Sequence, residues 1–248
     1  MQPKRLGCAT PMHSGQPMQL PLSIKLNDEA TFTNFYAGPN AAAVAAVEAL
    51  ASAEPALPET CLYLWGAPGS GRSHLLQAAC HRMAEVGSLA MYLPLAEVQD
   101  HGPDLLEGME QFDLLCLDQL DALVGDAAWE EALFHLYNRL REEGGRLLVA
   151  ASAAPRVMGF SLADLASRLS WGLVFQLQPL SDEDKQQMLM LRADLRGLQL
   201  SEEVARYMLN RGARGMAELF AALEQLDQAS LQAQHRLTIP FVKRVMGW

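Results

Sequence analysis

The residues with the clearest chemical meaning are Gly66–Ser73, which read GAPGSGRS. They fit the pattern G-x-x-x-x-G-[KR]-[ST], which carries meaning when it lies between a strand and a helix. Gly66, Gly69 and Gly71, with Ser70 among them, let the backbone fold into a nest of amides that can approach phosphate oxygens closely. Those amides and the first turn of the next helix present partial positive charge to an anion. Ser73 is then a ligand for Mg²⁺. Arg72 stands where a lysine usually reaches the β and γ phosphates, and a broad guanidinium fork is not a neutral replacement for a compact ammonium. Binding should survive this change because backbone amides supply much of it, while efficient hydrolysis should suffer. Alanine at Gly71 would set a methyl group where the amides must meet phosphate.

A second site lies at Asp113–Gln119, DLLCLDQ. An apolar strand ends in Asp118, which can hold the water shell of Mg²⁺ beside the phosphates. Gln119 follows where nucleotidases of this type usually carry glutamate, and a neutral amide is a poor base. Arg72 and Gln119 therefore point the same way, toward a chain that binds nucleotide and hydrolyses it poorly alone.

Positioning these groups requires particular elements. Five apolar runs stand out: Cys61–Trp65, Leu89–Pro94, Asp113–Asp118, Arg146–Ala151 and Leu173–Leu177. Most are nearly continuous rather than alternating, which suits strands covered on both faces of a parallel sheet. Longer segments with helical spacing, such as Ser73–Val86 and Trp129–Glu143, lie between them, so the expected class is α/β. After Pro179 the pattern becomes all-helical. Ser181–Asp184 reads as a capping box with acids at the positive end of the helix dipole. Ser201 opens a second helix, Met216–Leu231 forms a third, and Thr238 with Pro240 starts a last short one. The predicted organisation is a leader over residues 1–27, an α/β nucleotide-binding domain over 28–179 and a helical lid over 180–248.

Composition narrows the class further. The 248 residues carry 19 Lys+Arg against 29 Asp+Glu, a formal net charge of −10. That balance argues against DNA as a main partner by charge alone. No apolar span is long enough for a transmembrane helix, and Lys4 and Arg5 are followed by no signal-peptide core. Cys8, Cys61, Cys80 and Cys116 lie at no zinc or redox spacing, so reduced thiols in the cytoplasm are expected.

Three stretches carry a family resemblance: Leu64–Cys80 (LWGAPGSGRSHLLQAAC), Leu133–Ser152 (LFHLYNRLREEGGRLLVAAS) and Leu165–Leu173 (LASRLSWGL). Together they resemble the AAA+ P-loop module of the bacterial replication initiator DnaA, over about residues 28–248. The resemblance includes neither the initiator's helicase-loading domain nor its helix-turn-helix domain. It implies a five-stranded parallel sheet flanked by helices, then a small helical lid. It is strongest toward the single-module branch of the family, whose members inactivate DnaA.

Several roles follow from that resemblance alone. Gln19–Ser23 (QLPLS) is similar to peptides that dock on the DNA polymerase III sliding clamp, the beta subunit, which makes Gln19, Leu20, Pro21 and Leu22 the partner-binding residues. A Gln amide, two leucines and a proline that limits ordering cost suit an apolar pocket. Arg168 matches an arginine finger, a trans-acting charge for phosphate on a neighbour; its plain alternative is a surface pair with Asp164. Ser152 sits where the family has a polar sensor of the γ-phosphate, or else merely caps its strand. The lid's sensor arginine aligns near Ala217, and Arg214, one turn earlier, takes that role only weakly. His74 follows the loop as a packing or capping residue beside the nucleotide.

The function so implied is negative regulation of replication initiation. The chain would bind ADP or ATP with Mg²⁺, dock on the DNA-loaded clamp and stimulate hydrolysis of ATP held by DnaA. DNA contact would be indirect through the clamp, no membrane would be involved, and a homodimer is left open. The alternatives are an autonomous AAA+ ATPase or helicase-loader-like protein, which should carry an acid after Asp118 and a basic surface, and a DnaA-like adaptor that binds nucleotide without stimulating hydrolysis.

Overall fold

The five apolar runs form five parallel strands: β1 (Cys61–Gly66), β2 (Ala90–Pro94), β3 (Leu114–Asp118), β4 (Arg146–Ala151) and β5 (Leu173–Leu177). The structure, a computed structural model, describes residues 26–53, 58–212, 215–233 and 236–248. The sheet order is β2-β3-β4-β1-β5. Apart from Arg146 at the start of β4 and Asp118 at the end of β3, the central strands are free of charge because alternate side chains enter different cores. Tyr63, Leu115, Leu117, Leu147 and Val149 face one core, while Leu62, Leu64, Leu114, Cys116 and Leu148 face the other. β5 is an edge strand, and its alternation of exposed and half-buried residues departs from the two-sided burial expected of most runs.

The first core is covered by the short α3 (Leu95–Val98), by α4 (Ala127–Glu142) and by α5 (Ala163–Leu169); α1 (Ala41–Leu50) and α2 (Arg72–Glu85) cover the second. Of these, α1, α3 and α5 are not among the helical segments read from sequence. α1 is so rich in alanine that its periodicity is faint, and α5 spans only 7 residues.

Four helices follow β5: α6 (Asp182–Leu195), α7 (Glu202–Arg211), α8 (Met216–Ala233) and α9 (Ile239–Met246). They share a third core around Leu189, Met208, Leu223 and Val242. The capping box that opens α6 is present in both directions: Ser181 Oγ accepts from the Asp184 amide at 3.1 Å and Asp184 Oδ2 accepts from the Ser181 amide at 3.1 Å. Cys61, Cys80 and Cys116 are buried and free, and burial pushes the Cys61 thiol up to about 12, so it stays protonated. Among the described residues no helix is long and apolar enough to cross a membrane.

Candidate nucleotide site

Parallel strands end on one edge, where α/β proteins usually build ligand sites. Here β1 delivers Gly66, β3 delivers Asp118 and β4 leads into Ser152. Between Gly66 and Arg72 the chain makes a glycine-dependent turn. Gly69 and Gly71 have φ of 78° and 95°, in the left-handed region where a Cβ is unfavourable. At Gly66 an added Cβ would lie 2.7 Å from Leu177 O. At Gly71 it would lie 2.5 Å from Phe35 Cε2. This corrects the sequence expectation: the methyl group of an alanine at Gly71 runs into Phe35, and its effect on phosphate would come through the displaced turn.

The turn opens on a cleft lined by Gly69, Ser70, Gly71 and His74 from the loop side and by Met188, Arg192 and Phe220 from the lid. Asn34, Phe35, Tyr36 and Asn40 line a third side. The segment that bears them is tied to both bodies. Asn40 exchanges two hydrogen bonds with the backbone of Gln178, at 3.0 and 2.7 Å. The Tyr36 hydroxyl donates to Asp184 at 3.2 Å, and His74 Nε2 meets the Thr31 carbonyl at 2.8 Å. A carbonyl only accepts, so Nε2 carries the proton there. Burial, the largest effect, holds the His74 pKa below that of free imidazole. The cleft fits a nucleotide by its own chemistry: two buried polar atoms on its wall, Ser70 Oγ and Arg192 Nε, have no hydrogen-bond partner among the described residues.

Asp118 is 2% exposed and already engaged. Its Oδ2 accepts from the Tyr92 hydroxyl at 2.7 Å and its Oδ1 from the Gln119 amide at 2.9 Å. Burial first and Asp118 second push the Tyr92 phenol pKa up, which keeps it a donor. A carboxylate has lone pairs beyond these two bonds, so water on a Mg²⁺ remains a feasible third partner. Gln119 sits at φ 58°, the one left-handed non-glycine residue among those described. Arg72 and Ser73 open α2, and Arg72 makes no side-chain hydrogen bond or ion pair among the described residues. Ser152 is committed elsewhere: its hydroxyl and its amide both donate to Asp121. Asp121, absent from the sequence reading, therefore fixes the strand end where a sensor was expected.

Arg168 lies apart from this cleft. It sits near the end of α5, half-buried, with its guanidinium 4.6 Å from the ring centre of Phe134 and 5.4 Å from that of Trp171. No ion pair joins it to Asp164 among the described residues. Two features brace α5. Gly172 packs so tightly on β1 that an added Cβ would fall 2.0 Å from Cys61 O. Glu130, 0% exposed, accepts from the Gly125 amide at 2.8 Å and from Leu162, the residue before α5, at 2.7 Å. Glu130→Gln replaces one acceptor by a donor facing a part-buried backbone N–H, so it should cost about 1–3 kcal/mol of stability. Urea unfolding checks this, and a loss under about 0.5 kcal/mol, the level of a neutral surface change, would mean the two amides find other partners.

Gln19, Leu20, Pro21 and Leu22, expected from the sequence to bind a partner, lie outside the described residues, as does Arg214. Ala217 is the second residue of α8. Arg192, which lines the cleft from α6, was missed because nothing local in its sequence marks it.

Residues 26–176 match the family of the bacterial DnaA ATPase domain. The chain belongs to that family. Residues 182–246 match a second description, the lid domain of Hda, which makes this an Hda-like member. Domain III of the Thermotoga maritima replication initiation protein DnaA is similar over 90% of this chain and 98% of its own, at TM-score 0.74 and 22% identity. AMPPCP-bound DnaA from Aquifex aeolicus is similar over 84% of this chain and 68% of its own, at TM-score 0.67 and 22% identity. The RuvB branch migration motor of Thermotoga maritima follows at TM-score 0.62 and 18% identity, covering 88% of this chain and 73% of its own. At these identities the likeness is one of fold. It agrees with the expected AAA+ module, a parallel five-stranded sheet followed by a helical lid.

Proposed function

We propose that this DnaA-family chain is a cytoplasmic, nucleotide-bound negative regulator of replication initiation. It holds ADP or ATP in the cleft at Gly66–Ser73, with Mg²⁺ between Ser73 and the water shell of Asp118. It docks through Gln19–Leu22 on the DNA-loaded sliding clamp and presents Arg168 to ATP held by DnaA. DNA is reached through the clamp, and a homodimer is compatible with this scheme.

The observation that supports this reading most is the isolation of Arg168 from its own site. No residue of α5 lines the cleft of the same chain, and no carboxylate claims the guanidinium among the described residues. A cation held on aromatic faces keeps its charge available, since such contacts cost it less than an ion pair would. Such a group is suited to phosphate on a neighbouring molecule. The deciding experiment follows hydrolysis of DnaA-bound ATP with and without this protein and DNA-loaded clamp. Acceleration only when both are present is expected, and equal rates in all mixtures would refute the regulatory reading.

Two further results are expected. Alone, the protein should turn ATP over far below the range of about 1–100 s⁻¹ typical of phosphoryl-transfer enzymes, because Gln119 offers no base and Arg72 replaces lysine. Steady turnover at that level would favour the autonomous ATPase instead. Replacing Gln19, Leu20 and Leu22 together by alanine should abolish clamp capture and leave nucleotide affinity unchanged. Capture that persists in a pull-down would put the clamp site elsewhere on the chain.

A further inference from the structure

Arg192 is an unusual place to put a cation. It belongs to the last turn of α6, is only 9% exposed, and lines the cleft together with Gly69, Ser70 and Gly71. Its guanidinium stacks 4.7 Å from the ring centre of Phe220, which orients the plane without satisfying its N–H groups. Nε has no acceptor, and no side-chain hydrogen bond is made by any of its nitrogens among the described residues. The nearest anion is Glu29, whose Oε2 is 3.6 Å from Nη1, longer than a hydrogen bond. Glu29 is claimed by another residue: both its oxygens accept from Arg196 Nη2, at 3.1 and 3.0 Å. Burial pushes the Arg192 pKa down, and Glu29 opposes that only in part.

A buried arginine without hydrogen bonds is costly unless something completes it. Three features indicate what that is. The opposite wall is a turn whose backbone amides suit an anion. Ser70 Oγ on that wall is likewise buried and unpartnered. A planar guanidinium fork makes charge-assisted bidentate bonds with the oxygens of a phosphate, which an uncharged base cannot offer.

We infer that Arg192 is the lid's contact to the phosphate chain of the bound nucleotide, so that the lid and the glycine turn grip the same polyphosphate from opposite sides. This rests on the nucleotide reading of the cleft. It also gives the lid a direct stake in occupancy: α6 carries the contact in its last turn and, through Arg196 and Glu29, holds the segment that runs along the other side of the cleft. His74 lines the same cleft, and the Arg192 charge is a minor cause of its depressed pKa, after burial.

The test uses the full chain and isothermal titration with ADP, with adenosine as a competitor lacking phosphate. Arg192→Met keeps an apolar stem on Phe220, and Arg192→Lys keeps the charge should the methionine variant fail to fold. ADP affinity should fall about ten- to hundredfold in Arg192→Met, the scale of a charge-assisted hydrogen bond. The fall should be smaller in Arg192→Lys, with adenosine competing as in the parent. ADP affinity within about twofold of the parent in a folded Met or Lys variant overturns the inference and leaves the nucleotide site intact. So does an equal loss for ADP and adenosine, which would mark Arg192 as packing only. A parent chain that binds no ADP would instead overturn the nucleotide reading itself.

Discussion

Arg168→Ala is expected to remove most of the clamp-dependent hydrolysis of DnaA-bound ATP and to leave this protein's own nucleotide affinity and clamp capture nearly unchanged. The reason is positional. The guanidinium lies on Phe134 and Trp171, outside the wall of its own cleft, so its loss cannot disturb phosphate bound there. Its charge matters where phosphate charge develops on a neighbour, and arginine fingers are worth about 10³–10⁵ in rate. A drop of at least about a hundredfold is therefore the expected scale. Arg168→Lys should restore only part of it, because an ammonium is a point charge and does not reproduce the planar fork. The stability cost should be small, about 0.5–2 kcal/mol for the lost aromatic contacts, so a folded variant is obtainable. The competing view makes Arg168 a clasp between α4 and α5. It predicts that cost and no more, with the stimulated rate within about twofold of the parent.

Gly71→Ala is expected to cost the protein most of its nucleotide affinity, by roughly a hundredfold or more if about 3 kcal/mol is lost. Two effects combine at this residue. Its φ of 95° is strained for any residue with a Cβ, and the Cβ would lie 2.5 Å from the Phe35 ring. Left-handed strain alone costs about 1–3 kcal/mol. The turn can relieve both only by moving, and movement takes its amides away from the anion. Ser73→Ala differs in kind: it removes a hydroxyl at the start of α2 and creates no strain. Its loss of affinity should vanish when Mg²⁺ is chelated, while that of Gly71→Ala should persist. Titration calorimetry with and without chelator separates the two. Parental affinity in both variants would show that the turn does not carry the phosphates.

The sequence alone determined the features that depend on neighbours a few residues away. Continuous apolar runs become strands when both faces are covered, and β4 and β5 begin and end where their runs do. The capping box at Ser181–Asp184 needs only a hydroxyl and a carboxylate three residues apart, and both of its bonds form. The glycine turn after β1 is legible because left-handed backbone has a residue-type signature. α1 escaped because alanine is a helix former with little apolar contrast, so its buried stripe of Val44, Val47 and Leu50 is short.

What only the tertiary structure decided is which distant groups meet. Glu29 reaches Arg196 across 167 positions, and Asn40 reaches Gln178 across 138. Periodicity carries no information on such pairs, because they depend on the path of the chain around the sheet. The same holds for Ser152, which sequence could leave only as a sensor or a cap, and which the fold sets against Asp121. Arg168 and Asp164 are one helical turn apart and could have paired. The fold instead offers Arg168 three aromatic rings, from Phe134 and Tyr137 on α4 and from Trp171 just after α5. Arg192 is the sharpest case: its sequence neighbourhood is that of any amphipathic helix, and it becomes a candidate phosphate contact only because the lid folds back over the glycine turn.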